Sequence, residues 1–286
     1  MTPELPSRRF EPPDMNASRP IALALFPLFS LLPGQSPAKP SPPAKSPELP
    51  RRHEALDRIL RAHVQGGLVD YEGLRREDLS NLEGYLDAMA AVDPKGLRES
   101  ERLAYYVNVY NATMLRAVLD ETAKDPAWTP AASDFAVFRQ KRVRLSGARI
   151  SLDDLENGIL RKEFREPRVH VAIVCAAKSC PVLLPRAYEA EDLDETLRAN
   201  LRSFLRDPSR NRVDEQGGVL RLSKIFEWFQ EDFGGEKGIL ALVKEHLGPA
   251  AAGYRIEYLD YSWDLNRAPS PRRKNDKAAA GGEVAP

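Results

Sequence analysis

The stretch from His170 to Pro181 reads HVAIVCAAKSCP and holds one of the four histidines of the chain and both of its cysteines. These residue types suit nucleophilic catalysis: an imidazole takes the proton of a thiol, the thiolate attacks a carbonyl, and nearby backbone N–H groups hold the resulting oxyanion. In an extended chain Cys175 points away from His170, because five residues reverse the side-chain direction. Cys180 lies further on, where the chain can turn back. Cys180 is therefore the expected nucleophile and His170 its base. Lys178 would lower the pKa of a neighbouring thiol, and Ser179 is an alternative nucleophile or hydrogen-bond donor. Pro181 restricts the turn, while Pro185 follows too closely for a long helix to begin there.

Two other readings fit the same residues. A Cys-x4-Cys pair can close into a structural or redox-active disulfide if its geometry and compartment permit, or both sulfurs can simply pack in the core. Zinc is poorly supported, since two cysteines and one nearby histidine leave a tetrahedral set incomplete. No metal or cofactor is expected.

The elements that must position these groups point to a helix-rich α+β domain around a small sheet. Residues 169–175, VHVAIVC, carry apolar and β-branched side chains at both parities, which predicts a central strand covered on both faces. The periodicity of 99–121 predicts a helix that places Ala104, Asn108, Asn111, Leu115 and Val118 on one face. Amides on a core-type face need partners. Either Asn108 and Asn111 fasten neighbouring loops, or one projects into a cavity to orient a catalytic group. Tyr106 and Tyr110, at i and i+4, are candidates to line a groove.

Helices are also expected over 53–64, 78–89, 191–205, 224–233 and 238–247. Short strands are expected at 143–145, 148–150, 219–222 and 254–259. Ser151 and Asp154 approximate a capping box. His53, His63 and His246 are expected at the surface.

The chain has 286 residues, with 42 Lys and Arg balancing 42 Asp and Glu. This balance argues against a protein whose main task is neutralising nucleic-acid phosphates, and the cluster Arg139, Lys141, Arg142 and Arg144 is expected on a solvated face. Residues 21–32, IALALFPLFSLL, follow Arg19 and are too short to span a bilayer but suit a signal peptide within residues 1–32. Export to the periplasm or the extracellular space is expected, with N-terminal anchoring and membrane proximity as the alternative. The Pro-rich residues 33–50 are expected to be a disordered linker and residues 268–286 a disordered tail, which leaves the folded domain at 51–267.

Several ordered blocks resemble the DUF547 family, a domain of unknown function. They are YYVNVYNA at 105–112, SLDDLENGILR at 151–161, PRVHVAIVCAAKSCPVL at 167–183, AYEAEDLD at 187–194, LSKIFEWFQEDFG at 222–234 and YLDYSWDLN at 258–266, with Val69-Asp70-Tyr71 as an opening block. The resemblance implies an α+β fold with a site around the His/Cys segment. It maps the family's recurring polar positions onto Asn108, Asn111, His170, Ser179, Cys180, Asp232, Asp264 and Asn266. Tyr106 stands where the family commonly has Trp, and Asn157 where it commonly has His. An amide cannot titrate near neutral pH as that histidine would.

Two functions follow as expectations. One is a thiol-dependent hydrolase or acyltransferase acting on a peptide or small molecule, with Cys180 attacking, His170 exchanging the proton and Asn111 or Asn108 orienting. The other is a noncatalytic domain that binds a protein partner and in which Cys175 and Cys180 form a disulfide.

Overall fold

The computed structural model describes residues 52–248 and 253–269. The expected signal segment, the linker and all but the first residues of the expected tail lie outside them.

The described residues are mainly helical. Helix α1 (Glu54–His63) leads into a two-residue hairpin, β1 (Val64–Gln65) and β2 (Leu68–Val69). The turn between them uses Gly66 and Gly67, both at positive φ. A Cβ on Gly67 would lie 2.5 Å from the Val182 side chain, so this close approach admits only glycine. After the single turn α2 (Tyr71–Gly73), helix α3 (Leu79–Ala90) packs on the long helix α4 (Glu99–Lys124).

Helix α4 is the axis of the core. Nearly every side chain from Leu103 to Leu119 is buried, as expected of a helix covered on all sides. Tyr106 and Tyr110 are thus core residues and do not line an open groove. The histidines are likewise inside: His53 Nδ1 meets the Tyr85 hydroxyl at 2.8 Å, His63 Nε2 meets Asp78 at 2.7 Å, and His246 is buried near the end of the helix Gly235–Leu247. The expectation of surface histidines fails at His53 and His63 because their polar partners sit elsewhere in the chain, where helical periodicity cannot reveal them, and at His246 because packing covers its ring.

Helix α5 (Ala136–Arg139) precedes the hairpin β3 (Val143–Leu145) and β4 (Ala148–Ile150). Ser151 and Asp154 then form the expected reciprocal cap, with Ser151 N–H donating to the Asp154 carboxylate and Asp154 N–H to the Ser151 hydroxyl, both at 3.0 Å. The helix that follows, Asp154–Phe164, is wound as a π-helix. Further on come α6 (Leu193–Arg206), β5 (Arg212–Asp214), β6 (Val219–Leu222), α7 (Lys224–Trp228), α8 (Gly235–Leu247) and β7 (Arg255–Tyr258). Strand β6 is central to a three-stranded sheet, antiparallel to β5 and parallel to β7. The architecture is helix-rich α+β with small sheets. No helix among the described residues is long and apolar enough to cross a membrane.

The expected central strand at 169–175 is absent. Pro167–Val171 is a 3₁₀ helix, capped by the Glu166 carboxylate, and the chain then bends through Cys175. Asparagine side chains take the place of a strand ladder. Asn111 donates to Ala172 O and accepts from Val174 N–H, both at 2.9 Å, and Asn200 from α6 donates to Val171 O. Backbone groups in this buried segment are satisfied by amides, so no neighbouring strand is needed. The apolar run resembled a strand because burial on all sides looks the same in either conformation.

Candidate functional site

His170 is fixed by these backbone bonds at the end of the 3₁₀ turn, with its side chain almost wholly buried. Its ring stacks on Phe229, centroids 3.8 Å apart and planes 16° apart. Nε2 lies 2.7 Å from Asp232 Oδ2. The ionised carboxylate can only accept, so Nε2 carries the proton and Nδ1 presents a lone pair. Nδ1 is buried without a hydrogen-bond partner among the described residues. Glu156 Oε1 lies 3.9 Å from it, too far for a direct bond.

Asp232 is oriented from its other side. Arg161 grips both of its oxygens, Nε to Oδ2 at 2.5 Å and Nη2 to Oδ1 at 3.0 Å, and Arg161 Nη1 also donates to Asn157 Oδ1 at 2.8 Å. The π-helix supplies Glu156, Asn157 and Arg161 together, which is consistent with the frequent use of such turns at functional sites. Burial pushes Asp232 up, but hydrogen bonds from His170 and Arg161 outweigh it and hold the carboxyl well below its ordinary range. His170 is lowered, chiefly by burial, against the opposing pull of Asp232. Glu156 is raised to about 7, again chiefly by burial, although the Tyr110 hydroxyl donates to it at 3.2 Å. The arrangement joins a neutral imidazole with a free lone pair to a carboxyl group that is half protonated near neutral pH.

The two cysteines are bonded to each other, with an S–S distance of 2.04 Å. In this state the Cys180 sulfur is not a nucleophile, and its carbonyl accepts from Arg210 Nε at 2.7 Å. Ser179 fastens a neighbouring segment through its hydroxyl, which accepts from Ser262 N–H at 2.9 Å. Asn108 binds both backbone groups of Tyr188, donating to O at 2.8 Å and accepting from N–H at 2.9 Å. Asn108, Asn111 and Ser179 therefore position backbone, and of the expected site residues only His170 presents a reactive atom to a second titratable group. Asp232 was among the positions mapped by resemblance. Arg161 and Asn200 were missed as site residues and Glu156 was missed as an acid–base group, and their signal in the sequence is limited to polar residues inside helices.

A separate groove of about 400 Å³ lies where α3, α4 and the β3–β4 hairpin meet. Arg116, Arg142 and Arg144 line it but are engaged by Glu83, Asp120, Glu121 and Asp87, so the basic cluster is largely spent on internal ion pairs. No group of three or more His, Cys, Asp or Glu able to hold a metal ion occurs among the described residues.

Residues 94–205 match the family model described as "Protein of unknown function, DUF547". That segment contains α4, the π-helix, His170 and the cysteine loop. No curated protein and no solved structure matches the chain.

Proposed function

Starting from residues 94–205 as a member of the DUF547 family, we propose that the domain is an acid–base hydrolase or acyltransferase centred on His170. His170 Nδ1 is the general base and Glu156 the proton donor. The observation that carries this reading is the buried, unpartnered Nδ1 lone pair 3.9 Å from Glu156 Oε1. One oxygen atom can contact both at ordinary hydrogen-bond lengths of about 2.8 Å. His170 draws a proton from a water or hydroxyl placed there, the oxygen attacks an ester or amide carbon, and Glu156 returns a proton to the leaving group. Asp232 stabilises the imidazolium that forms, as a carboxylate does in a Ser-His-Asp triad, but through the opposite ring nitrogen. Asn111 holds the backbone just after the histidine, and Asn108 fastens the backbone of Tyr188. Cys180 and Ser179 shape the adjoining loop, with no part in the attack while the disulfide is closed. The substrate, a peptide or small molecule, would enter from the side where Glu156, Asp232 and Arg161 reach solvent. A disulfide is compatible with an oxidising compartment, which accords with export.

The test is turnover of a panel of p-nitrophenyl esters and peptide amides by the full chain and by His170→Gln. Hydrolysis that falls by about 10²-fold or more in the variant is expected. Absence of turnover across the panel, or equal turnover by a folded His170→Gln, would overturn the reading. A second reading, a noncatalytic binding domain, is favoured by the closed Cys175–Cys180 bond, and retained partner capture by His170→Gln would support it.

A further inference from the structure

The cysteine loop is built asymmetrically. Cys180 is almost completely buried, at 2% exposure, and Arg210 holds its end of the loop through the carbonyls of Lys178 and Cys180. Cys175 is only partly buried. A disulfide sulfur has no proton, so the Tyr261 hydroxyl 3.2 Å from Cys175 Sγ is the donor in that contact. Cys175 N–H donates to Cys180 Sγ at 2.9 Å. Between the cysteines, Ala176 sits at φ 62°, a left-handed conformation that is unfavourable for an L-residue with a Cβ.

The same loop carries the last described segment of the chain. Lys178 N–H donates to Asp264 O at 2.7 Å, Ser179 N–H to Ser262 O at 3.3 Å, and Asn266 N–H to Ala176 O at 2.9 Å. From there the segment reaches β2, where Val69 N–H donates to Asn266 O and Ala268 N–H to Val69 O, both at 2.8 Å. The Tyr71 hydroxyl donates to Asn266 Oδ1 at 2.7 Å. Residues 261–268 are thus a strap whose middle is fastened to the disulfide loop.

We propose that Cys175 is a site of thiol–disulfide exchange with a small thiol, and that opening the bond there loosens the strap. The attacking thiolate forms a bond to Cys175 Sγ, the S–S bond breaks, and its electron pair leaves on Cys180 Sγ as thiolate. The product is a mixed disulfide at Cys175. Attack at the other sulfur is blocked by burial. The leaving thiolate is received by the Cys175 N–H, a donor that strengthens as charge develops. A second thiol attacking the mixed disulfide regenerates the Cys175 thiol and completes the reduction. Release also frees Ala176 to leave its left-handed conformation, while Arg210 keeps the Cys180 end in place, so the change stays local. The inference stands independently of the acid–base reading.

The experiment exposes the full chain to reduced glutathione, quenches with an alkylating agent and maps both cysteines by mass spectrometry, with far-UV circular dichroism recorded in parallel. Glutathione on Cys175 with alkylated Cys180 is the expected product at unchanged helicity. Adduct on Cys180, or no exchange until helicity is lost, overturns the proposal. With oxidised glutathione, Cys180→Ser is expected to form an adduct at Cys175 at least about tenfold faster than Cys175→Ser forms one at Cys180, and equal rates count against it. Hydrogen exchange after reduction is expected to accelerate about tenfold or more at Lys178, Ser179, Asn266 and Ala268 but not within α4. Unchanged protection at the strap refutes the loosening.

Discussion

His170 and Asp232 meet through Nε2 and Oδ2 at 2.7 Å, which turns the other ring nitrogen toward Glu156. The competent protonation state has His170 neutral and Glu156 protonated. Because burial lowers His170 and raises Glu156 to about 7, that state is populated below neutrality and above the lowered imidazole value. Hydrolysis is expected to follow a bell in pH with its basic limb near 7. Glu156→Gln is expected to remove the basic limb together with most of the rate. A basic limb that persists in this variant would assign the proton donor elsewhere.

The same carboxyl group makes stability depend on pH. Its folded value of about 7 lies above its ordinary 4.5, so between those values the native state binds more protons than the unfolded chain. The stability that the protonated form contributes is complete below pH 4.5 and is lost as pH rises through 7, a change on the order of 3 kcal/mol. Glu156→Gln cannot ionise. Its melting temperature relative to the parent is expected to be higher at pH 8 than at pH 5, read by calorimetry across that range. Parallel melting curves for the two proteins across pH would contradict the burial of a neutral carboxyl group at this position.

Arg161 touches the imidazole through Asp232, and its charge also disfavours the imidazolium directly. Arg161→Lys keeps the charge but loses the two-point grip on both carboxylate oxygens. The expected result is a fall of about tenfold in kcat with little change in KM, accompanied by a shift in the acidic limb of the pH profile as Asp232 loosens. A purely structural arginine would lower stability and leave that limb where it is. Asn157 closes the same chain through its bond to Arg161, so Asn157→Ala is expected to move the limb in the same direction by a smaller amount.

Much of the fold was legible because its helices are amphipathic or capped in the chain itself. The pattern of 53–64 corresponds to α1, and Ser151 with Asp154 marks the start of the next helix. Val143–Leu145 and Ala148–Ile150 pair around Ser146-Gly147 as their turn residues indicate. The segment at 169–175 was misread for a physical reason: its hydrogen-bond partners are Asn111 and Asn200, remote in sequence, and nothing local distinguishes amide-fastened coil from strand. His170 was legible as a polar group inside an apolar run. Its relation to Glu156 and Asp232 was not, because a π-helix and a turn after α7 create it, and the spacing of carboxylates along the chain carries no trace of that. The cysteine pair left three readings open, and proximity within a bent loop decided for the disulfide.

Asn111 offers the sharpest test of how the site is held. Its amide satisfies Ala172 O and Val174 N–H in a region with almost no exposure. In Asn111→Ala both backbone groups lose their partner at once, each at a cost of about 1–3 kcal/mol, so a loss of about 3 kcal/mol is expected from urea unfolding. Asn111→Asp keeps an acceptor for Val174 N–H but sets a carboxylate against Ala172 O, and below its pKa the protonated form restores a donor. Asn111→Asp is therefore expected to gain stability relative to Asn111→Ala as pH falls, the opposite of the behaviour expected if the side chain merely filled space. Equal stability of the two variants at every pH would show that the backbone here finds other partners, and that the asparagine does not hold His170 in place.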